Sequence, residues 1–415
     1  MTGIPSEDRG RRVRGLAVFF AAIYFVQGIS EPGAGIADQP IFFLLKDELH
    51  LSASQTASFL AVISFAWWIK PLYGLISDFF PLFGTRRRSY LLLTTALAGF
   101  CWLALGSLST YSYTTTLLLL LLCGFGLAFS DVLCDAVMVE TGKPLGMTGR
   151  FQAIQWGSIN TASVLAGIGG GWLSQNTPYQ WVFRLVALFP LISLTATFVH
   201  LHEPRVRFDR QQIHETLQAV RSAIGSPPLW TAAAFIFLWN FSPSFGTPLE
   251  YFEVDALGFS KIFLGILSSL NSGAAIAGAA LFAQISGRWP LRRLLSLSVA
   301  IGVVSTLAYL GLVGPRSAVL LTTTTGLITM IATLATFDLA ARSCPDRAEG
   351  TFFAALMALA NLGTAGGNVV GGWLYDAIGL TPLIFVSALA TATCWVIIPL
   401  VRVDGSSPAA TSPAP

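Results

Sequence analysis

The chain has 415 residues, of which 54% are hydrophobic and only 11% are charged, and its formal net charge is +3. Soluble domains carry about 25% charged residues, so this chain lacks the polar surface that water requires, and lipid is the solvent that suits it. The small net charge gives no sign of a nucleic-acid partner. Five scattered cysteines without paired spacing indicate neither a metal site nor another cofactor.

Twelve apolar segments follow one another along the chain. Each approaches the length of about 20 residues that a helix needs to cross the hydrocarbon core. Because lipid offers the backbone no hydrogen-bond partners, the segments are expected to be helices, and the sequence predicts an all-α membrane protein. The predicted spans are 15–37, 54–79, 89–108, 114–137, 149–173, 180–200, 229–251, 261–285, 293–313, 317–340, 351–374 and 381–402.

The basic residues predict the orientation of these spans. An even number of spans places both termini on one side, and 19 of the 24 lysines and arginines lie on that side. The positive-inside rule makes it cytoplasmic, and it is called the inner side below. The short N-terminus has no transit peptide, which favours a bacterial-type cell membrane over an organelle envelope.

The spans and loops divide the chain into five predicted parts. The long connection carries apolar residues at helical spacing, which predicts an amphipathic helix on the inner face. The C-terminal residues are low in complexity, which predicts disorder. The predicted parts are a cytoplasmic N-terminus (1–14), a six-helix bundle (15–200), a cytoplasmic linker (201–228), a second six-helix bundle (229–402) and a tail (403–415).

The two halves of the chain repeat one design. Residues 149–173 and 350–374 agree at eight of 25 positions, including Asn160 with Asn361 and a closing Gly-Gly-Trp-Leu. The ends of the first and seventh spans, PIFFLLKDELHLS (40–52) and PLEYFEVDALGFS (248–260), also match. Six spans plus six in the same orientation resemble the major facilitator superfamily, in which two pseudo-symmetric bundles enclose a substrate near the midplane. A monomer is expected.

Two opposite charges lie inside predicted spans. A Lys or Asp near the middle of a span costs about 2.5–3.5 kcal/mol, so it usually faces a partner or a water-filled cavity. Counting from the inner ends at helical rise places Lys70 at a depth of about 12 Å and Asp131 at about 13–14 Å. The matched depths predict that Lys70 and Asp131 form an ion pair.

Charges at the inner ends of spans 2 to 4 predict a latch. Asp78 closes span 2, and three arginines open span 3. The arginines are expected to hold Asp78 and the end of span 4 when the inner gate is closed. An alternative is that they only set the topology. The predicted latch residues are Asp78, Arg86, Arg87, Arg88, Asp135 and Glu140.

Further polar side chains mark a predicted substrate and proton pathway. Pro32 and the neighbouring glycines are expected to break span 1 beside two acids, which suits a proton or a polar ligand. The asparagines have an alternative role in hydrogen bonding between helices. The predicted pathway residues, besides Lys70 and Asp131, are Gln27, Glu31, Asp38, Asn160, Asn240, Asn271 and Asn361.

Several segments resemble one branch of the superfamily, the folate-biopterin transporters. They are YFVQG (24–28), LLKDEL (44–49), IKPLYGLISDFFPLFGTRRRSYL (69–91), SDVLCDAVMVE (130–140), FSPSFGTPL (241–249) and EGTFFAALMALANLG (349–363). The resemblance implies transport of folates, pterins or related solutes, commonly taken to be proton-linked. It also implies important roles for Lys70, Asp78, Arg86 to Arg88, Asp131 and Asp135.

The predicted function is therefore secondary transport of an anionic, ring-bearing solute such as a folate or pterin, by alternating access and coupled to protons. A permease for another bulky anion, such as a muropeptide, is an alternative, as is a non-transporting membrane sensor on the same scaffold. An enzyme is not expected, because all four histidines lie in loops or at span ends and no nucleotide-binding loop is present.

Overall fold

The computed structural model describes residues 6–145, 147–205, 227–243, 245–285, 290–344 and 349–400. Within these ranges the chain is almost entirely helical, and β-type pairing is limited to an isolated bridge between Leu82 and Thr85. The predicted amphipathic linker helix and the predicted disordered tail lie outside the described residues. The predicted all-α fold is confirmed.

The first bundle is built from nine helices, because three of its spans are interrupted. They are α1 (Ser6–Ser30), α2 (Asp38–Phe43, extended by a wide turn over Leu44–Glu48), α3 (Ala53–Trp68), α4 (Lys70–Phe79), α5 (Arg88–Ser107), α6 (Tyr113–Leu145), α7 (Thr148–Asn176), α8 (Tyr179–Val186) and α9 (Phe189–His200).

The described part of the second bundle contains seven helices. They are α10 (Pro227–Phe241), α11 (Gly246–Asp255), α12 (Lys261–Ile285), α13 (Leu291–Ala308), α14 (Pro315–Ser343), α15 (Glu349–Ile378) and α16 (Leu380–Ile397).

All twelve predicted spans correspond to helical segments. In the described part of the chain, ten of them are long and apolar enough to cross a membrane by length and composition alone. The fifth span is α7, whose 29 residues include many glycines and polar side chains. The seventh is divided between α10 and α11, so neither piece alone has the necessary length.

Spans 1 and 7 break at corresponding places. After Ser30 the chain makes a tight turn in which the Gly35 N–H donates to the Glu31 carbonyl at 2.7 Å. A Cβ on Gly35 would lie 2.7 Å from that oxygen, so the turn requires glycine. Span 7 breaks after Phe241, where the Ser242 hydroxyl donates to the Ser387 carbonyl at 3.0 Å. The break predicted from Pro32 is therefore present.

Glycines allow close packing along the seam between the bundles. On α7 and α12, a Cβ at Gly171 would lie only 2.9 Å from the Cα of Gly265. On α15, a Cβ at Gly372 would lie 2.8 Å from the Cα of Ser54 on α3. Spans 5 and 8, and spans 2 and 11, therefore meet across the seam with little between their backbones.

Candidate substrate and ion pathway

Span 2 is interrupted immediately before its lysine. Ile69 separates α3 from α4, and Pro71 occupies the first turn of α4, where its missing N–H costs nothing. The Tyr73 hydroxyl donates to the Ala66 carbonyl at 2.8 Å across the break. Lys70 is thus the first residue of a new helix, held in place by packing on both sides of the interruption.

Lys70 and Asp131 form an ion pair, with 2.5 Å between Nζ and Oδ2. The side chains are 19% and 6% exposed, so neither faces open lipid or bulk water. The Lys70 ammonium also lies 4.4 Å from the centre of the Trp67 ring, within the range of a cation–π interaction. The structure therefore brings together the two residues whose matched depths predicted a pair, and it places the Trp67 ring beside them.

Asp135 lies one helical turn from Asp131 but has a different partner. The Tyr24 hydroxyl of α1 donates to Asp135 Oδ1 at 2.5 Å, while the residue itself remains exposed. Through this contact the side chain of Asp135 faces span 1, and its predicted role in the latch stays a prediction. Sequence reasoning missed Tyr24, although it stands in the YFVQG segment.

The acids of span 1 interact electrostatically with the ion pair and with the second bundle. Glu31 is close enough to interact electrostatically with Lys70, Asp131 and Asp38. Asp38 in turn interacts with Glu250 of α11, across the seam. Glu250 was missed by the sequence analysis, although it lies in the repeated PLEYFEVD segment. The break in span 1 thus gathers carboxylates from both bundles.

The amides predicted for the pathway differ in their surroundings. Gln27 is buried and lines a cavity of about 10 Å³. The Asn160 amide donates to the Trp156 carbonyl of its own helix at 2.7 Å. Asn240 accepts from Thr364 at 3.3 Å, whereas Asn271 is exposed beside α14. Asn361 is half-buried on α15.

The predicted latch centres on one arginine. Arg87 is buried, and its guanidinium donates to Asp78, to Glu140 at 2.8 Å and to the Ser77 hydroxyl at 2.5 Å. Charge-assisted hydrogen bonds of this kind are the strong ones. Arg87 therefore joins the ends of spans 2, 3 and 4, all of which belong to the first bundle.

Glu203, which follows span 6, caps the start of span 3. Its carboxylate accepts the backbone N–H groups of Arg86 at 2.8 Å, Arg87 at 3.0 Å and Arg88 at 2.8 Å. An acid is favourable there because the first N–H groups of a helix have no partners within it. Glu203 had no distinguishing signal in the sequence except its position beside a proline.

The outer ends of the bundles are in contact. The Tyr251 hydroxyl of α11 donates to the Leu51 carbonyl at 2.5 Å. The Ser52 hydroxyl donates to Asp376 of α15 at 2.8 Å. Deeper in the seam, Ser269 of α12 donates to the Val164 carbonyl of α7 at 2.8 Å. The structure therefore has its outer side closed.

A family model described as the BT1 family matches residues 27–402, which is most of the chain. The chain belongs to the BT1 family. The match begins at residue 27 and includes the break in span 1 and the Lys70–Asp131 pair.

Curated relatives match this BT1-family protein over most of both chains. The folate-biopterin transporter of Synechocystis sp. is 30% identical over 87% of this chain and 74% of its own length. The probable folate-biopterin transporter 4 of Arabidopsis thaliana is 24% identical over 86% of this chain and 88% of that protein. Both relatives carry the name of a transporter rather than of an enzyme, in agreement with the prediction that this chain is not an enzyme.

Solved structures show the same fold at low sequence identity. The nucleoside transporter NupG superposes with a TM-score of 0.72 and 13% identity, covering 93% of this chain and 98% of that one. The D-xylose-proton symporter gives 0.68 and 14%, covering 94% and 98%. The predicted twelve-span fold of two six-helix bundles is confirmed, and this BT1-family protein is a multi-pass membrane protein.

Proposed function

We propose that this protein is a secondary transporter of an anionic, ring-bearing solute of the folate or pterin class, driven by protons and working by alternating access. The observation that carries the proposal is the Lys70–Asp131 pair beside the Trp67 ring. A cation next to an aromatic face suits a solute that has both a carboxylate and a flat ring. The names of the BT1-family relatives support the same solute class.

The pair also suggests how protons and solute are coupled. While Asp131 is charged, it forms an ion pair with the Lys70 ammonium. A proton on Asp131 would remove that attraction and leave the ammonium free for the carboxylate of a solute. Tyr24 and the exposed Asp135 lie one turn away, on the inner side of the pair. We therefore propose that Lys70 binds the solute and that Asp131 and Asp135 bind the proton.

The carboxylates at the span-1 break belong to the same pathway on its outer side. Glu31 interacts electrostatically with the Lys70–Asp131 pair and with Asp38, and Asp38 interacts with Glu250 of the second bundle. Movement of one bundle against the other would change their separation from Glu250 and hence the cost of holding two negative charges there. The proposed setting is a monomer in the cell membrane, with both termini cytoplasmic.

Uptake by purified protein in liposomes tests the proposed function. The solutes are labelled folate, labelled biopterin, a muropeptide and an unrelated anion, each measured with and without an inward proton gradient. Saturable, gradient-dependent accumulation of folate or biopterin is expected, with the unrelated anion excluded. Preference for the muropeptide would overturn the solute class, and absence of any uptake would favour the sensor.

A further inference from the structure

Two lysines cross the seam at the outer ends of the bundles. Lys46, at the end of span 1, reaches Asp255 of the second bundle, with 2.7 Å between Nζ and Oδ1. Lys261, at the start of span 8, reaches Asp47 of the first bundle, with 3.1 Å between Nζ and Oδ2. Each bundle thus supplies one lysine and receives the lysine of the other.

Each ammonium also meets an aromatic ring on the receiving bundle. Lys46 lies 5.3 Å from the centre of the Tyr251 ring, and Lys261 lies 3.9 Å from the centre of the Phe43 ring. Both distances fall within the range of about 6 Å in which a cation is attracted by the face of a ring. Each lysine therefore binds an aromatic ring and an aspartate together.

The two receiving sites occupy matching positions in the internal repeat. When PIFFLLKDELHLS (40–52) is laid over PLEYFEVDALGFS (248–260), Phe43 meets Tyr251 and Asp47 meets Asp255. In both cases the aspartate follows the ring by four residues, which places the two side chains on one face of a helix. We call each aromatic–aspartate pair a socket.

Further hydrogen bonds join the two bundles beside each socket. The Gln39 amide of α2 donates to the Lys261 carbonyl at 2.6 Å, which fixes the start of span 8 beside its socket. On the other side, the Tyr251 hydroxyl bonds the first bundle through Thr56 at 2.8 Å as well as through Leu51. Opening the outer side would have to separate all of these contacts.

We propose that the two sockets are the outer gate of the transporter. Each holds a lysine of the opposite bundle while the outer side is closed, and both release their lysines when it opens. The inference rests on the proposed alternating access, but it concerns the equilibrium between closed and open states and does not depend on the solute. The two sockets are related by the internal repeat, but the two lysines that bind them are not, because Lys46 and Lys261 do not occupy matching positions in it.

The sockets are suited to opening because they are only partly buried. The side chains of Asp255 and Asp47 are 55% and 43% exposed, so water can replace the lysines at small cost. Exposed ion pairs are also screened by salt. A gate of this kind should loosen as ionic strength rises, whereas the close packing of glycines in the seam should not.

Distances between spin labels on the two bundles test the gate without any solute. One pair of labels replaces Thr110 and Val313, which are exposed in outer loops away from the sockets. A second pair replaces Phe83 and Arg293, which are exposed near the inner ends. The protein is the full chain in lipid nanodiscs, with its five native cysteines replaced.

The double variant Lys46→Gln with Lys261→Gln removes both gate lysines. The ratio of closed to open conformations, measured with the outer pair of labels, should shift about tenfold toward open. The inner pair should shorten in the same variant. Lys46→Asp combined with Asp255→Lys, in the otherwise native gate, should restore most of the closed population that Lys46→Asp alone loses. Unchanged distances in the double Gln variant would overturn the proposal.

Two matched controls separate the sockets from general surface charge. Glu48→Gln changes an exposed carboxylate next to Asp47, and Arg316→Gln changes an exposed cation at the start of span 10. Both should leave the distances unchanged, and a shift as large as that of the double Gln variant would overturn the proposal.

A salt titration of the native gate covers the case in which the Gln variants do not fold. The open fraction of the outer pair should rise between low and high salt, and a constant fraction would overturn the proposal. If the gate responds as expected while liposomes take up no folate or biopterin, the proposed solute fails and the gate stands. If uptake is observed but the distances do not respond, only the gate fails.

Discussion

Lys70 of span 2 and Asp131 of span 4 form an ion pair within the membrane-spanning part of the first bundle. Two charges out of water are expensive, and their attraction offsets that cost only when the geometry is good. A pair of this kind is a poor means of stabilising a bundle compared with apolar packing. Its presence is therefore better explained by a function that needs a cation at this depth.

Lys70→Ala is expected to abolish uptake. The substitution removes the proposed solute-binding cation and leaves Asp131 buried without its partner, which costs about 3–5 kcal/mol when a buried pair loses one member. Initial uptake rates in liposomes give the functional effect, and the melting temperature of the purified variant gives the stability effect.

The combination Lys70→Asp with Asp131→Lys should recover the stability lost in Lys70→Ala, because opposite charges again face each other. It should recover only part of the uptake, since the cation now stands on span 4, away from its place beside Trp67. Normal uptake by Lys70→Ala would contradict the proposed role of the lysine in binding the solute.

Replacing Arg86, Arg87 and Arg88 with Gln is expected to favour the open state of the inner gate, and Arg87→Gln alone should produce most of that effect. Arg87 is buried and bonds two carboxylates and Ser77, and each hydrogen bond to a charged group is worth about 1.5–3 kcal/mol. We expect the inner gate to open more readily, seen as faster labelling of a cysteine in the inner part of the pathway. Equal labelling of Arg87→Gln and native protein would show that the network serves the first bundle alone.

Much of the fold could be predicted from the sequence because the features that indicate it depend only on the order of residues along the chain. Span length, basic loops and the internal repeat each follow directly from residue order. The break after Ser30 was predictable for the same reason, since Pro32 cannot continue a helix. The interruption before Lys70 was not predicted, although Pro71 was equally visible, because an apolar run on both sides of a proline reads as one span.

The site was predictable only in part, because counting residues gives the depth of a side chain but not the direction in which it points. Lys70 and Asp131 were paired correctly, since both have the same depth and opposite charge. The depth of Asp135 gave no indication that it faces Tyr24 of span 1. Glu203 lies in a loop, where depth has no meaning, so its role as a cap required the fold.

Tyr24→Phe tests whether the hydroxyl matters to the proposed proton pathway. The change removes one hydrogen bond to Asp135 and leaves the buried ring in place. Asp135 is exposed, so water can replace the lost hydroxyl and the melting temperature should change little. Gradient-driven uptake should fall roughly tenfold, because a water molecule does not hold the carboxylate in one position as the hydroxyl does. Tyr113→Phe, at the outer surface, should have no effect on either measurement. Native uptake by Tyr24→Phe would remove the hydroxyl from the mechanism.

Collapse of the pH gradient should stop accumulation if protons drive uptake. Liposomes with an inward proton gradient are compared with the same liposomes treated with a protonophore, and with liposomes that have a sodium gradient instead. Asp131→Asn should equilibrate solute without accumulating it, because a neutral amide cannot carry the proton. Accumulation that persists after the protonophore would favour sodium coupling.

Gly171→Ala and Gly265→Ala test the seam between spans 5 and 8. A Cβ at Gly171 would lie 2.8 Å from the Lys261 carbonyl oxygen, and one at Gly265 would lie 2.8 Å from the Cα of Gly171. Since both neighbours are backbone atoms, the helices must separate. Both variants should lose closed population on the outer side, measured with the outer pair of spin labels at constant salt.

Gly157→Ala on α7 and Gly273→Ala on α12 are the matched controls. A Cβ at either position meets no other atom within 4 Å. Alanine is preferred to glycine within a helix by about 1 kcal/mol, so the controls report that general effect without a clash. The closed population should be native in both controls and reduced in Gly171→Ala and Gly265→Ala. If all four variants behave alike, the close approach of the two helices does not contribute to closure of the outer side.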